Sequence, residues 1–326
     1  MPMETEIHPL VSICIPMYNA ETTIKKTLTT IINQTYKNIE IIIVDNCSSD
    51  TSIDIVQEFP DPRIKLIRMD THLPTAELNW NRCFQYTNGE YIALFHADDI
   101  YLPDMVSRQI ETFRKYPLIG GVFTQGNIIN EKDERIGEFK IPLEIKSDKP
   151  YDYQELFNAF LKHADFLPTP TAMICKDMYR GCAPFRSDQF SSASDFDMWL
   201  RIAAHKPLVI LDEKLINYRI SKQQGSNVLH ALNTEESDFF KVMDSHIRNT
   251  NRKDISGEAM DSYDLSRFGD QMRRAYNAFR KRDWACFIRV LTSVRWLHNI
   301  MIILTHPQLV YEKYQMLKYF RVFQAG

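Results

Sequence analysis

The sequence predicts an α/β protein, a mostly parallel central sheet with helices on its faces and a helical extension at the C-terminal end. Three observations carry this. Apolar, β-rich runs alternate with amphipathic helical patterns from Val11 to Lys115, the rhythm of crossover units. One run, Ile39-Glu-Ile-Ile-Ile-Val44, is almost continuously apolar, as a parallel strand covered on both faces must be. From about Glu235 onward the pattern is almost entirely helical.

The elements follow in order. Val11–Ile15 is a short strand that should stop at Pro16, and a turn through Tyr18 and Asn19 leads to a helix from Glu21 to about Gln34, with Ile24, Leu28, Ile31 and Ile32 on one side. The strand Ile39–Val44 ends in Asp45-Asn-Cys-Ser-Ser-Asp50, polar residues suited to capping a helix that runs to about Phe59. A strand at Arg63–Arg68, a helix at Thr75–Tyr86 and a turn at Asn88-Gly89 precede the strand Tyr91–Phe95, which ends in His96-Ala-Asp-Asp99. Pro103 is expected to open the next helix, to about Lys115. Beyond it, short strands near 121–123 and 171–175 flank a helix at Tyr153–Lys162. They are followed by a helix near Ser194–Ala204, a strand pair at Leu208–Leu211 and Leu215–Tyr218, and a polar loop at 221–226. Two domains are expected, 1–230 and 231–326.

Composition bounds the function. With 44% hydrophobic and 25% charged residues among 326, the chain can bury a core of ordinary size. Its six cysteines form no C-x-x-C pair, so buried thiols in a reducing compartment are expected rather than a metal knuckle. The start carries acids before its apolar run, unlike a signal peptide, and the late apolar run Ile300–Leu304 is too short to span a bilayer. A cytoplasmic protein is expected. The net charge of −3 conceals an asymmetry: residues 271–326 hold ten Lys/Arg and two acids, a net +8, leaving −11 on the rest. Such a split points the tail at an anionic partner. Nucleic acid is not expected, because no basic surface interleaved with stacking aromatics is evident.

In an open parallel sheet, ligands bind beyond the carboxyl ends of the strands. Tyr18-Asn19, Asp45, Asp50 and Asp98-Asp99 all fall at such ends. Asp98 and Asp99 directly follow an apolar strand, and adjacent carboxylates there repel unless something positive lies beside them. Two readings are open: the pair starts a turn and caps the next helix, or it holds a hard divalent cation. A cap needs only one Asp, which favours the cation, Mg2+ or Mn2+ bound with substrate phosphates. Asp45 alone reads first as an Asx-turn residue, and otherwise as an acceptor for an N–H of a base or sugar. In Ser194-Asp-Phe-Asp-Met-Trp-Leu-Arg201, Asp195 can cap a helix or serve as a general base. Arg201 at i,i+4 from Asp197 would leave Asp195 free. Gly-rich dinucleotide and Walker loops, zincin and G-x-S-x-G motifs are absent from the sequence.

These clusters, in this order, resemble the inverting glycosyltransferases of family 2, which have the GT-A fold. The matching blocks are Val11–Asn19, Ile39–Asp50, Asn81 ahead of Gly89–Ile92, Asp98–Pro103 and Asp195–Arg201, within residues 10 to 226. The resemblance implies a nucleotide-sugar pocket lined by Pro16, Tyr18, Glu21, Asp45, Asp50, Asn81, His96, Ala97 and Asp98, with Asp45 facing the base. It implies a divalent metal, Mn2+ or Mg2+, on Asp98 with Asp99 beside it, and Asp195 as catalytic base. The sequence departs from the pattern at His96, where an acid or amide is common, and at Ser221-Lys222, where a His often follows. The implied reaction is single in-line transfer of a sugar from a nucleotide-diphosphate donor, UDP by family base rate, to an acceptor hydroxyl on a glycan or lipid-linked acceptor. A non-catalytic nucleotide-sugar or glycan-binding module is the alternative, weighed against by the retained acids. A nucleotidyltransferase is a further one, weighed against by the missing Gly-rich loop.

In the tail, Trp284, Ile288, Leu291, Val294, Leu297 and Met301 recur at three- and four-residue steps beside Arg280, Lys281, Arg282, Arg289 and Arg295, so a helix is expected. It either packs its apolar stripe on the rest of the protein or lies on an anionic membrane as a peripheral contact, at the inner face.

Overall fold

The computed structural model of the chain describes residues 8–145, 149–221 and 233–313. The elements of the α/β part are β1 (Val11–Met17), α1 (Ile24–Ile32), β2 (Ile39–Asp45), α2 (Ser52–Gln57), β3 (Ile64–Arg68), α3 (Ala76–Phe84), β4 (Tyr91–Leu94), β5 (Ile100–Tyr101), α4 (Met105–Lys115), β6 (Gly121–Ile129), β7 (Arg135–Glu138), β8 (Pro150–Tyr151), α5 (Tyr153–His163), β9 (Met173–Cys175), α6 (Lys176–Cys182), α7 (Ser187–Phe190), α8 (Ser194–Ala203) and β10 (Leu208–Arg219).

One sheet runs in the order β3-β2-β1-β4-β9-β6-β10-β5, with β7 beside β6 and β8 beside β10. The first four strands are parallel, as the apolar runs predict. Beyond them the sheet is mixed. The three-residue β9 runs antiparallel to both β4 and β6, although β6 and β10 are parallel to each other. The strand order reverses between β1 and β4, so the loops after β1, β2 and β4 leave on one edge at a switch point. The sides of α1 and α4 that bury Ile24, Leu28 and Ile31, and Val106, Ile110 and Phe113, belong to one core with β1 and β2. Each such side chain contributes about 1.5–3 kcal/mol.

Local rules explain where the expected boundaries moved. β1 continues through Pro16 to Met17. The Cys14 carbonyl accepts from Phe95 N on the β4 side, and by alternation Pro16 faces that side too, beyond the last registered pair Cys14↔Leu94. The missing N–H therefore leaves no ladder bond unmade. The helix expected from Pro103 begins at Met105, after a turn. The expected strand pair at 208–218 is one twelve-residue strand, β10, whose irregularities between Leu211, Lys214 and Ile216 absorb the polar Asp212-Glu213-Lys214 that otherwise reads as a hairpin turn. The Asn88-Gly89 turn docks on the start of β1: a Cβ at Gly89 would lie 2.6 Å from the Leu10 carbonyl oxygen, so only glycine fits.

The chain divides into two compact units. The first holds residues up to Tyr153, Phe166–Gln189 and Ser194–Arg219. The second holds Gln154–Asp165, Phe190–Ala193 and the chain from Ile220 onward, thus taking in two segments that the expected 1–230 and 231–326 division assigns to the first; position 230 itself lies outside the described residues. Within the second unit, helices span Asp238–Asn249, Gly257–Arg280, Trp284–Ser293 and Trp296–Thr305. The longest is capped by Ser256, whose Oγ accepts from Ala259 N at 3.1 Å. Tyr263 OH donates to Asp244 Oδ1 at 2.7 Å, and Arg267 pairs with Asp244 and Glu236. The single tail helix expected from the apolar spacing is two helices bent by 57°. Thr292 and Ser293 hydroxyls bond back to the Ile288 and Val290 carbonyls, which bends helices, and Val294 is extended. Among the described residues no single helix is long and apolar enough to cross a membrane.

Candidate active site

The loop after β1 and the loop after β2 are laced together. Asn19 takes a left-handed conformation (φ 48°). Its N–H donates to Ser48 Oγ at 2.9 Å, and its Oδ1 accepts from Ser49 N at 2.9 Å. Glu21 N donates to Asp50 Oδ2 at 3.0 Å, while Glu21 Oε2 accepts from Thr51 N and Oγ1 at 3.1 and 2.8 Å. Burial pushes the Asp50 carboxyl up, but bonds from Ser52 and Glu21 outweigh it and hold the pKa below the usual range. Glu21 and Asp50 thus shape the rim by bracing each other's loops. Asp45, 1% exposed, accepts from Ser48 N at 3.3 and 3.2 Å in an Asx turn. Tyr18 stands half-exposed at the mouth, its ring 4.7 Å from that of His72.

Asn81 departs from its expected place in the pocket wall. It clamps the Phe185 backbone from both sides, donating to the carbonyl at 3.2 Å and accepting from the N–H at 3.0 Å, and it also accepts from Tyr179 OH.

The loop after β4 differs. Its backbone is pinned: the Ala97 carbonyl accepts from Thr23 and Thr27 at 3.1 Å each, and the Asp99 carbonyl accepts from Thr27 at 2.8 Å. Arg219, at the end of β10, donates Nε to the Asp98 carbonyl at 2.8 Å, and its backbone N–H donates to Asp99 Oδ1 at 2.8 Å. The other oxygen of Asp99 is buried without a hydrogen-bond partner, as is His96 Nε2. One ligand atom each from His96, Asp98 and Asp99 lies within 4.8 Å of the others. Burial, and then the neighbouring Asp98, raise the Asp99 pKa well above its ordinary value. Burial lowers that of His96, opposed by Asp98, so the imidazole is neutral. Trp80 stacks on that ring at 5.8 Å. An orphaned buried carboxylate oxygen, a second carboxylate and a neutral imidazole fit a divalent cation. His96, expected among the residues lining the nucleotide-sugar pocket, belongs to this cluster.

Asp195 sits in the first turn of α8. Its Oδ2 accepts from Thr169 Oγ1 at 2.6 Å and its Oδ1 from Phe196 N at 2.7 Å. Burial raises its pKa, and the Thr169 bond partly opposes this. Two residues on, Asp197 is fully buried between Arg186 and Arg201, with Arg201 Nε at 2.8 Å. The i,i+4 pairing of Arg201 with Asp197 is the one the spacing predicts, and it leaves Asp195 outside the ion triad. Burial, and then the charges of Asp99, Asp98 and Asp195, raise the pKa of Tyr218 on β10. Tyr218, Arg219 and Thr169 escaped the sequence reading. The polar residues closing β10 were the available signal for the first two, whereas Thr169 has none. Lys222, one of the two departing positions after Arg219, lies outside the described residues.

Residues 12–180 match glycosyl transferase family 2. The Escherichia coli UDP-Glc:alpha-D-GlcNAc-diphosphoundecaprenol beta-1,3-glucosyltransferase WfgD is 36% identical over 222 residues, which cover 67% of this chain and 80% of that protein. Among solved structures, S. aureus TarS 1–349 in complex with UDP-GlcNAc is similar with a TM-score of 0.55 at 15% identity, covering 88% of this chain and 91% of that one. The mannosyltransferase PcManGT from Pyrobaculum calidifontis, in complex with GDP-Man and Mn2+, gives 0.55 at 13% identity, covering 98% and 86%. The two structures share the fold.

Proposed function

The chain belongs to glycosyl transferase family 2, and from that premise we propose that it moves a hexose with inversion from a UDP-linked donor to a hydroxyl of a glycan carried on a lipid diphosphate. The UDP donor and the lipid-linked acceptor are supported by the activity that the E. coli relative is named for. The observation that carries the reading is the cluster after β4, where one ligand atom each from His96, Asp98 and Asp99 lies within 4.8 Å of the others. The donor diphosphate is assigned to that cluster and the base to Asp195 at the start of α8.

His96, Asp98 and Asp99 would hold the divalent cation, with Mn2+ or Mg2+ suiting the carboxylates. Bound there, the cation would supply Lewis-acid stabilisation of the departing diphosphate. Tyr18 and Asp45 border the place for the base, and the braced loops of Glu21 and Asp50 fix the pocket's shape. Asp195, outside the ion triad and with Thr169 orienting it, takes the proton from the acceptor hydroxyl as that oxygen attacks the anomeric carbon. The C–O bond to the diphosphate breaks as the new glycosidic bond forms, and the configuration inverts. Such a base contributes about 10²–10⁴-fold. The enzyme would work at the inner face of a membrane, where a lipid-linked acceptor is presented.

The test is incubation of the purified chain with UDP-glucose, Mn2+ and a GlcNAc-diphosphate-lipid analogue, with the product linkage read by NMR. A β-linked disaccharide from the α-linked donor is the expected product. An α-linked product, or no transfer with any UDP-sugar, overturns the reading.

A further inference from the structure

The helical unit contains a cavity of about 430 Å³ whose wall carries Arg267, Arg274, Arg289 and Arg295, against Glu236 and Asp264. Both acids are engaged: Glu236 pairs with Arg267 at 2.7 Å, and Asp264 meets His298 Nε2 at 2.7 Å. Arg274 donates to the Thr234 carbonyl at 3.0 Å and lies 3.8 Å from Asp270. Among the described residues, the Arg289 guanidinium donates to the Cys286 sulfur at 3.6 Å, and neither it nor that of Arg295 has a carboxylate within ion-pair distance. Guanidinium groups in surplus around one cavity are suited to a phosphate group, which offers acceptors in the matching fork geometry.

The helices that supply Arg289, Arg295 and His298 also carry the most exposed apolar side chains of this unit. Ile288 is 61% exposed, Leu297 82% and Leu304 72%, with Met301 and the rings of Trp284 and Trp296 also outward. At about 100° per residue, Arg289 lies roughly a quarter-turn from Ile288, and His298 the same from Leu297. The cavity-lining side chains therefore flank the apolar stripe on both helices. A helix that sinks its apolar face about 5–10 Å into a bilayer has its flanks at the level of the headgroup phosphates.

We propose that this cavity binds the phosphate of an anionic membrane lipid while the stripe through Ile288, Leu297, Met301 and Leu304 inserts beside it. The inference rests on the membrane contact proposed above, but its test reads binding and headgroup selectivity rather than sugar transfer. The full chain is floated with vesicles of phosphatidylcholine alone, with added phosphatidic acid (a phosphate monoester), or with phosphatidylserine at equal surface charge. Wild type is expected to float with the phosphatidic acid vesicles about tenfold better than with phosphatidylserine. Arg289→Gln with Arg295→Gln, both at exposed positions, should lose that selectivity, and Leu297→Ser with Leu304→Ser should lose flotation on all vesicles. Equal flotation with both anionic lipids, or selectivity unchanged in the double Gln variant, overturns the phosphate site while leaving membrane contact standing. No flotation on any vesicle overturns both. Thermal stabilisation by inorganic pyrophosphate that the Gln variant loses, without flotation, would assign the cavity to a soluble phosphate and overturn the lipid source.

Discussion

The two acidic regions of the sheet edge are built on opposite terms. In the loops after β1 and β2, every acid has a partner supplied by the chain: Asp50 accepts from Glu21 N, Glu21 from Thr51 N, and Asp45 from Ser48 N. In the loop after β4, Asp99 is fully buried with one oxygen unmatched beside Asp98 and an orphaned His96 nitrogen. Unpartnered buried polar atoms cost about 1–3 kcal/mol each, a cost that a cation held between these groups would offset.

Substitutions can break that contrast. Asp195→Asn keeps an acceptor for Phe196 N and reverses the bond with the Thr169 hydroxyl, and it should reduce transfer about 10²–10⁴-fold with little change in Tm, read by product assay and calorimetry. Asp98→Ala should give a comparable loss and blunt the response to added Mn2+, read by metal titration of activity and of Tm. Wild-type rates in either variant would dissolve the distinction. Asp197→Asn, two residues from Asp195, should do the reverse. It leaves Arg186 and Arg201 facing each other without their anion and should destabilise the protein by about 3–5 kcal/mol, measured by denaturant unfolding.

Smaller effects sharpen the picture. Asp195 must be unprotonated to act as a base, and its pKa is raised by burial, so the acid limb of the rate profile should lie above the ordinary Asp value of 3.8. Thr169→Val removes the bond that opposes the shift. The limb should therefore move to still higher pH, with a loss of about tenfold near the limb. A limb unmoved by this change would mean that Asp195 does not titrate in the rate. Asp50→Ala should be mildest, costing about 0.5–2 kcal/mol of stability and raising KM for the donor a few-fold with kcat nearly unchanged.

Much of this was legible in the residues. The apolar runs at β1, β2 and β4 and the helical face of α1 follow from periodicity alone, and acids at the ends of parallel strands had to share an edge. Three things were not legible. The antiparallel β9 is only three residues long and carries no period. Asn81 reads as a polar helix residue, and only the return of Phe185 shows what it clamps. The bonds of Arg219 to Asp98 and Asp99 depend on β10 running through Asp212-Glu213-Lys214, a stretch that local rules assign to a turn.

Five chain crossings link the two compact units, because Gln154–Asp165 and Phe190–Ala193 belong with the helices that follow Ile220. Ser262 Oγ donates to the Lys162 carbonyl at 3.1 Å, and Ser192 Oγ to Asp238 at 3.0 Å. A shortened gene ending at residue 219 would strip those two inserts of their own neighbours, so the helical part is woven into the enzyme and cannot be trimmed off as a fusion partner might be.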